Sequence, residues 1–115
     1  MPNFTDGDVF TVVETPLSEL KRGDLVLVEI NETQLIKRII GFPNETISIS
    51  DGKVFINGIE LVEPYEVVSP TITVEEVKLE DNFYFVLGDN RPHSTDSQKW
   101  GPVNGSAIKG KANPK

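Results

Sequence analysis

The chain is 115 residues long, with 11 Lys and Arg against 18 Asp and Glu for a net charge of −7, no cysteine and one histidine. That length supports one domain over residues 1–115 with one small core; the lack of Cys excludes a disulfide framework and a thiolate metal site, and leaves His93 as the sole imidazole. The acidic balance argues against a nucleic-acid surface or a polybasic membrane anchor, which need clustered cations, and the longest apolar run, Phe83 to Leu87, is far short of the roughly 20 residues that cross a bilayer.

The elements read as β. Val, Ile and Thr are abundant, and almost every apolar segment is short and bounded by Gly, Pro, Asn or Asp, which is strand composition with turn punctuation. In chain order, Val9 to Val13 reads as a strand. Thr15-Pro16-Leu17-Ser18-Glu19-Leu20 has a capping residue and a first-turn proline and stops at Gly23, so it reads as a single helical turn at most. Leu25 to Ile30, Leu35 to Ile40 and Thr46 to Ser50 follow as strands. Asp51-Gly52 and Asn57-Gly58 both tolerate positive φ and separate Thr46 to Ser50, Val54 to Ile56 and Ile59 to Leu61, which predicts two consecutive hairpins. Val62 to Thr73, with Pro64 and Pro70, reads as a loop or irregular edge. Phe83 to Leu87 is a strand, and Ile108 to Ala112 is a weaker one. The expected fold is mainly β: coiled antiparallel sheets forming a partly closed, barrel-like domain.

Two segments carry chemistry. In Leu35-Ile36-Lys37-Arg38-Ile39-Ile40, period 2 places Leu35, Lys37 and Ile39 on one face and Ile36, Arg38 and Ile40 on the other. One reading makes Lys37 an edge-strand guard against aggregation and Arg38 a snorkelling surface residue. The other makes Lys37 a buried amine whose charged form is disfavoured and whose pKa falls toward neutrality, fit to act as a general base. The second segment is the polar loop from Gly88 to Pro102. It is either an ordinary Asp/Asn/Ser turn or an orienting shell around a charged group.

Together, Arg22-Gly23-Asp24-Leu25-Val26, Ile36-Lys37-Arg38-Ile39-Ile40-Gly41-Phe42-Pro43, Gly88-Asp89-Asn90-Arg91 with Ser94 and Asp96-Ser97, Trp100-Gly101-Pro102 and Gly110-Lys111-Ala112 resemble type I signal peptidases in order and context. The resemblance covers essentially the whole chain, and Gly-Asp-Asn-Arg-x-x-Ser-x-Asp-Ser is its specific part. It implies a membrane-anchored serine endopeptidase that removes N-terminal signal peptides from exported preproteins on the extracytoplasmic side of the bacterial cytoplasmic membrane. A Ser/Lys dyad does the chemistry, with no cofactor and no metal. The implied fold is the β type shared with repressor-type Ser/Lys proteases. The short stretch between Leu61 and Val77 implies a compact version, of the kind common in Gram-positive bacteria.

By the same resemblance, Lys37 is the general base of the dyad, Ser94 the residue whose hydroxyl orients it, and Asp96 the acidic residue behind the site. Arg38 and Asp89 match a charged pair bracing the lysine strand against the loop that contains Asn90. Lys37 is expected to be largely buried beside Ser94. Phe4 is expected near the substrate pockets, which take small side chains from an extended peptide. Where the family often has arginine this chain has Gln98, so an ion pair from there to Asp96 is not expected. Where the family usually has Gly-Asp after Pro43 it has Asn44-Glu45, and Asn is the next-best residue for a left-handed position.

The family's nucleophile lies in Ser-Met-x-Pro-Thr-Leu-x-x-Gly-Asp. This sequence opens Met1-Pro2-Asn3-Phe4-Thr5-Asp6-Gly7-Asp8, so aligning Pro2 and Gly7-Asp8 puts the serine two residues upstream of Met1. No other serine occupies the motif position, and the expectation is a truncated catalytic domain, inactive as given, whose serine and membrane anchor precede Met1. Two other functions fit parts of the pattern. A catalytically dead relative acting as an assembly or binding partner would lack the upstream serine altogether. A self-cleaving repressor-type protease would need an internal scissile segment and a DNA-binding domain.

Overall fold

The computed structural model describes residues 10–64, 73–89 and 96–114. Ten strands are seen among them: β1 (Phe10–Val13), β2 (Leu25–Ile30), β3 (Thr33–Gly41), β4 (Thr46–Ser50), β5 (Lys53–Ile56), β6 (Ile59–Glu60), β7 (Val74–Lys78), β8 (Phe83–Leu87), β9 (Val103–Asn104) and β10 (Ile108–Pro114). One short helix, α1 (Ser97–Trp100), and 3-10 turns at Leu17–Glu19 and Gly105–Ala107 complete the described elements. A six-stranded sheet has the order β1-β10-β2-β3-β8-β9, and a four-stranded sheet the order β6-β5-β4-β7. All pairings are antiparallel, and neither sheet closes into a barrel.

The turn chemistry explains the hairpins. Asp51 and Gly52 have φ of 53° and 83°, and Asn57 and Gly58 have 52° and 83°, so both predicted hairpins turn through two left-handed residues, the geometry that matches strand twist. A third such turn joins β2 to β3 at Asn31 (φ 50°) and Glu32 (φ 67°), between the paired Ile30 and Thr33. Glu is a poor αL former, so composition gave no sign of it. In the segment before β2, the expected cap is absent: the Thr15 hydroxyl donates back to the Val13 carbonyl at 2.7 Å, and the turn that follows has no side-chain cap.

Strand β7 is the element the sequence pattern hides. Its partner residues on β4 are Ile47 with Val77 and Ile49 with Val74, a register shift that sets two residues, Glu75 and Glu76, against one, Ser48. The bulge turns Val74 and Val77 toward the same apolar cluster, although their spacing of three breaks the period of a regular strand. Glu75 and Glu76 between them are exposed.

Alternation on β3 and β8 divides the interior in two. Ile39, Tyr84 and Val86 join Val26, Val28, Leu20, Val103 and Ile108 in one cluster. Ile40, Phe85 and Leu87 point the other way, toward Ile47, Ile49, Val54 and Leu79 of the small-sheet side. β3 lies between β2 and β8, so Lys37 and Arg38 stand on an interior strand; the edge-guard reading is corrected by this placement. At the opposite side of the sheet, β1 lies so close to β10 that a Cβ on Gly110 would meet the Val13 carbonyl oxygen at 2.5 Å.

Candidate active site

The site forms where β3 runs beside the end of β8. Lys37 pairs with Val26 on β2 and shares its sheet face with Leu35 and Ile39. Those neighbours explain its titration. Burial strips water from the ammonium and lowers the Lys37 pKa; the carboxylates of Asp96 and then Asp89 push it back up, and Lys99 adds to the lowering. The side chain is of intermediate burial. Ser94, Asn90 and Phe4 lie outside the described residues.

Arg38 faces the other way and is buried, so it is not the snorkelling surface residue of one sequence reading. Its Nε donates to Asp89 Oδ1 at 3.0 Å and its Nη2 to Asp89 Oδ2 at 2.7 Å. Nη1 donates to the Gly23 carbonyl at 2.8 Å, tying the turn before β2 to β3. Asp89 follows Leu87, the residue paired with Arg38, by two positions, so both members of the ion pair project from the same face.

Asp96 and Ser97 complete β8 in place of a strand. β9 pairs with Phe83 and Tyr84 and goes no further. Beyond it the outward-facing N–H groups of β8 need acceptors: Val86 donates to Ser97 Oγ at 3.0 Å, and Gly88 to Asp96 Oδ2 at 2.7 Å. Asp96 also caps α1, accepting from Gln98 N at 2.9 Å, and Gln98 Nε2 reaches both carboxylate oxygens at 3.2 and 3.3 Å. A neutral amide therefore stands against Asp96, and both Asp96 and Ser97 are almost completely buried. The role of Ser97 was not anticipated, although its adjacency to Asp96 in the polar loop was the available signal.

Behind the site, Asn44 adopts the left-handed conformation with φ 71°, and Glu45 holds the turn. Its Oε1 accepts from Phe42 N and from Arg22 Nη1, each at 2.8 Å, while Oε2 accepts from Arg22 Nη2 at 2.7 Å. Arg22 also donates to the Ile40 carbonyl at 2.7 Å and lies 5.2 Å from the centre of the Phe42 ring. Burial acts to raise the Glu45 pKa, but the hydrogen bonds from Arg22 and Phe42 outweigh it and hold the carboxyl below its ordinary range. The replacement of Gly-Asp is thus accommodated at both positions.

Chemically, these residues offer a desolvated amine acted on by a wholly buried carboxylate, on a strand locked by a buried ion pair. The family model described as signal peptidase, peptidase S26, matches residues 1–114. The chain belongs to the signal peptidase family. Signal peptidase I of Bacillus licheniformis is 36% identical over 84% of this chain and 60% of its own length. Signal peptidase I T of Bacillus subtilis (strain 168) is 37% identical over 84% of this chain and 58% of its own. The chain thus spans about 60% of the length of these curated signal peptidases. The crystal structure of a signal peptidase I from Enterococcus faecalis V583 superposes with a TM-score of 0.67 at 30% identity, over 81% of this chain and 96% of that one. Among the described residues no helix is long and apolar enough to cross a membrane.

Proposed function

We propose that the intact protein is a serine endopeptidase that removes signal peptides from exported preproteins, with Lys37 as its general base. The observation that carries the reading is the Lys37 amine on β3, desolvated and acted on by the Asp96 carboxylate, in a chain that the signal peptidase family model matches over residues 1–114. A free lysine has a pKa of about 10.4 and is almost wholly protonated at neutral pH; desolvation is what makes it a usable base.

In the proposed reaction a serine supplied upstream of Pro2 attacks the scissile carbonyl while Lys37 takes its hydroxyl proton. The tetrahedral intermediate collapses, Lys37 delivers that proton to the leaving amine, and water attacks the acyl-enzyme with Lys37 again as base. The Ser94 hydroxyl orients the ammonium, and Asp96 stands behind it. Arg38 and Asp89 keep the lysine strand in register with the loop that begins at Gly88 and contains Asn90. Phe4 is assigned to the recognition of the small side chains of the signal peptide. The same reading places the catalytic body on the extracytoplasmic side of the cytoplasmic membrane, anchored by a segment outside these 115 residues. It also makes the 115 residues inactive alone, because the nucleophile is not among them.

The test is a preprotein cleavage assay on a longer chain with the native residues upstream of Pro2. Cleavage at a site preceded by small residues, lost in Lys37→Ala with the fold intact by circular dichroism, is the expected result. Full activity in Lys37→Ala would overturn the dyad. A residue other than serine two positions before Met1, with no cleavage, would favour the catalytically dead relative.

A further inference from the structure

Two carboxylates act on the Lys37 amine, and they are held differently. Both oxygens of Asp89 are gripped by Arg38, so much of that charge is cancelled where it stands. Asp96 is wholly buried, and among the described residues its oxygens accept from neutral donors only: Gly88 N, Gln98 N and Gln98 Nε2. Neutral N–H groups stabilise a buried carboxylate without cancelling its charge, whereas a paired guanidinium leaves little more than a dipole. The β3–β8 register that sets Arg38 against Leu87 carries Gly88 toward Lys37, and Gly88 N is the donor to Asp96 Oδ2, so this carboxylate is held at the lysine end of the strand pair, where it acts to keep the amine charged.

Among the described residues, the remaining charged groups around Lys37 do not mimic this effect. Arg38 projects from the opposite face of β3 and is spent on Asp89. Lys99, on α1, opposes protonation of Lys37 but is exposed. Across β2, Val26 separates Lys37 from Lys111 on β10, whose ammonium lies 3.8 Å from Asp24.

We propose that Gln98 is a positioning residue that holds Asp96 with a neutral amide, leaves the full charge of that carboxylate acting on Lys37, and thereby sets the pH at which the lysine becomes a base. The assignment rests on Lys37 being the general base, and its first readout is independent of peptidase activity. A cation at position 98 would pair with Asp96 and weaken the pull of that carboxylate on the Lys37 proton.

The experiment compares the 115-residue chain with Gln98→Arg, following the titration of the lysine side chains by ¹³C NMR and assigning Lys37 by its loss in Lys37→Arg. The Lys37 midpoint should fall by about 1 pH unit in Gln98→Arg, and Gln98→Lys, with a smaller cation, should shift it the same way if the arginine variant does not fold. A midpoint that stays in place or rises in a folded variant overturns the proposal. In the longer, serine-containing chain, the acid limb of the kcat/KM profile should move down with the NMR midpoint. An acid limb that stays put while the midpoint moves also overturns it. If the longer chain cleaves nothing, the peptidase reading falls, and the NMR titration alone decides whether Gln98 governs Lys37.

Discussion

Arg38 and Asp89 are separated by 51 positions in the chain and meet as a two-pronged ion pair, with the Asp89 side chain wholly buried and the Arg38 side chain 9% exposed. The pair joins the strand that carries Lys37 to the start of the polar loop. A buried pair of this kind adds little net stability over an apolar pair of the same shape, but breaking it strands a charge in the interior. Asp89→Ala should therefore cost about 3–5 kcal/mol in urea denaturation. Arg38→Met combined with Asp89→Leu should recover most of that loss. A double variant no more stable than Asp89→Ala would show that the pair itself, and not the orphaned charge, carries the energy.

Acid sensitivity should map to Glu45. Its folded pKa lies below the unfolded value, so the unfolded chain binds the proton more readily, and Glu45 contributes stability above the unfolded value of about 4.3 that is lost as pH falls through the folded one. The pair with Arg22 is partly exposed, so Glu45→Gln should cost no more than about 1 kcal/mol at pH 7. Melting temperatures of the two proteins, measured from pH 6 down to pH 3, should converge. A gap that widens on acidification would contradict the assignment.

Gly110→Ala should destabilise by about 1–3 kcal/mol. The obstacle is main chain, the Val13 carbonyl oxygen at 2.5 Å and its carbon at 3.0 Å, so no side chain can swing away to make room. The loss should appear in the denaturation midpoint. A variant as stable as the parent would mean that β1 separates from β10 at no cost.

The turn between β2 and β3 can be improved. Glu32 holds φ at 67°, a conformation that penalises residues with a Cβ and that glycine adopts freely. Glu32→Gly should stabilise by about 0.5–1 kcal/mol after allowing for the added flexibility of the unfolded chain, with the denaturant slope unchanged. Lower stability would indicate that the Glu32 side chain makes a compensating contribution.

Much of the fold was legible because it is encoded locally. Asp51-Gly52 and Asn57-Gly58 define their turns through two residues each, and the alternation from Leu35 to Ile40 assigns Ile39 and Ile40 to opposite interiors, as found. β7 was not legible, since a bulge against Ile47 and Ile49 is a property of the pairing and not of Val74 to Lys78 alone. Nor was the Asn31-Glu32 turn, which the register of β2 on β3 imposes on a residue ill-suited to it.

The sequence by itself determined the β class, the hairpin turns, and the cations Lys37 and Arg38 on opposite faces of one strand, because backbone preference and side-chain alternation act over a few residues. Only the tertiary structure decided what those cations experience. Whether Arg38 reaches solvent or a carboxylate depends on Asp89, and how strongly the Lys37 amine is desolvated depends on the sheet around it. That Asp96 and Ser97 satisfy the open edge of β8, with Gln98 completing the support of Asp96, follows from where β9 stops. Burial, charge pairing and hydrogen-bond completion are set by segments remote in the chain, and these are what convert a lysine in an apolar strand into a candidate base.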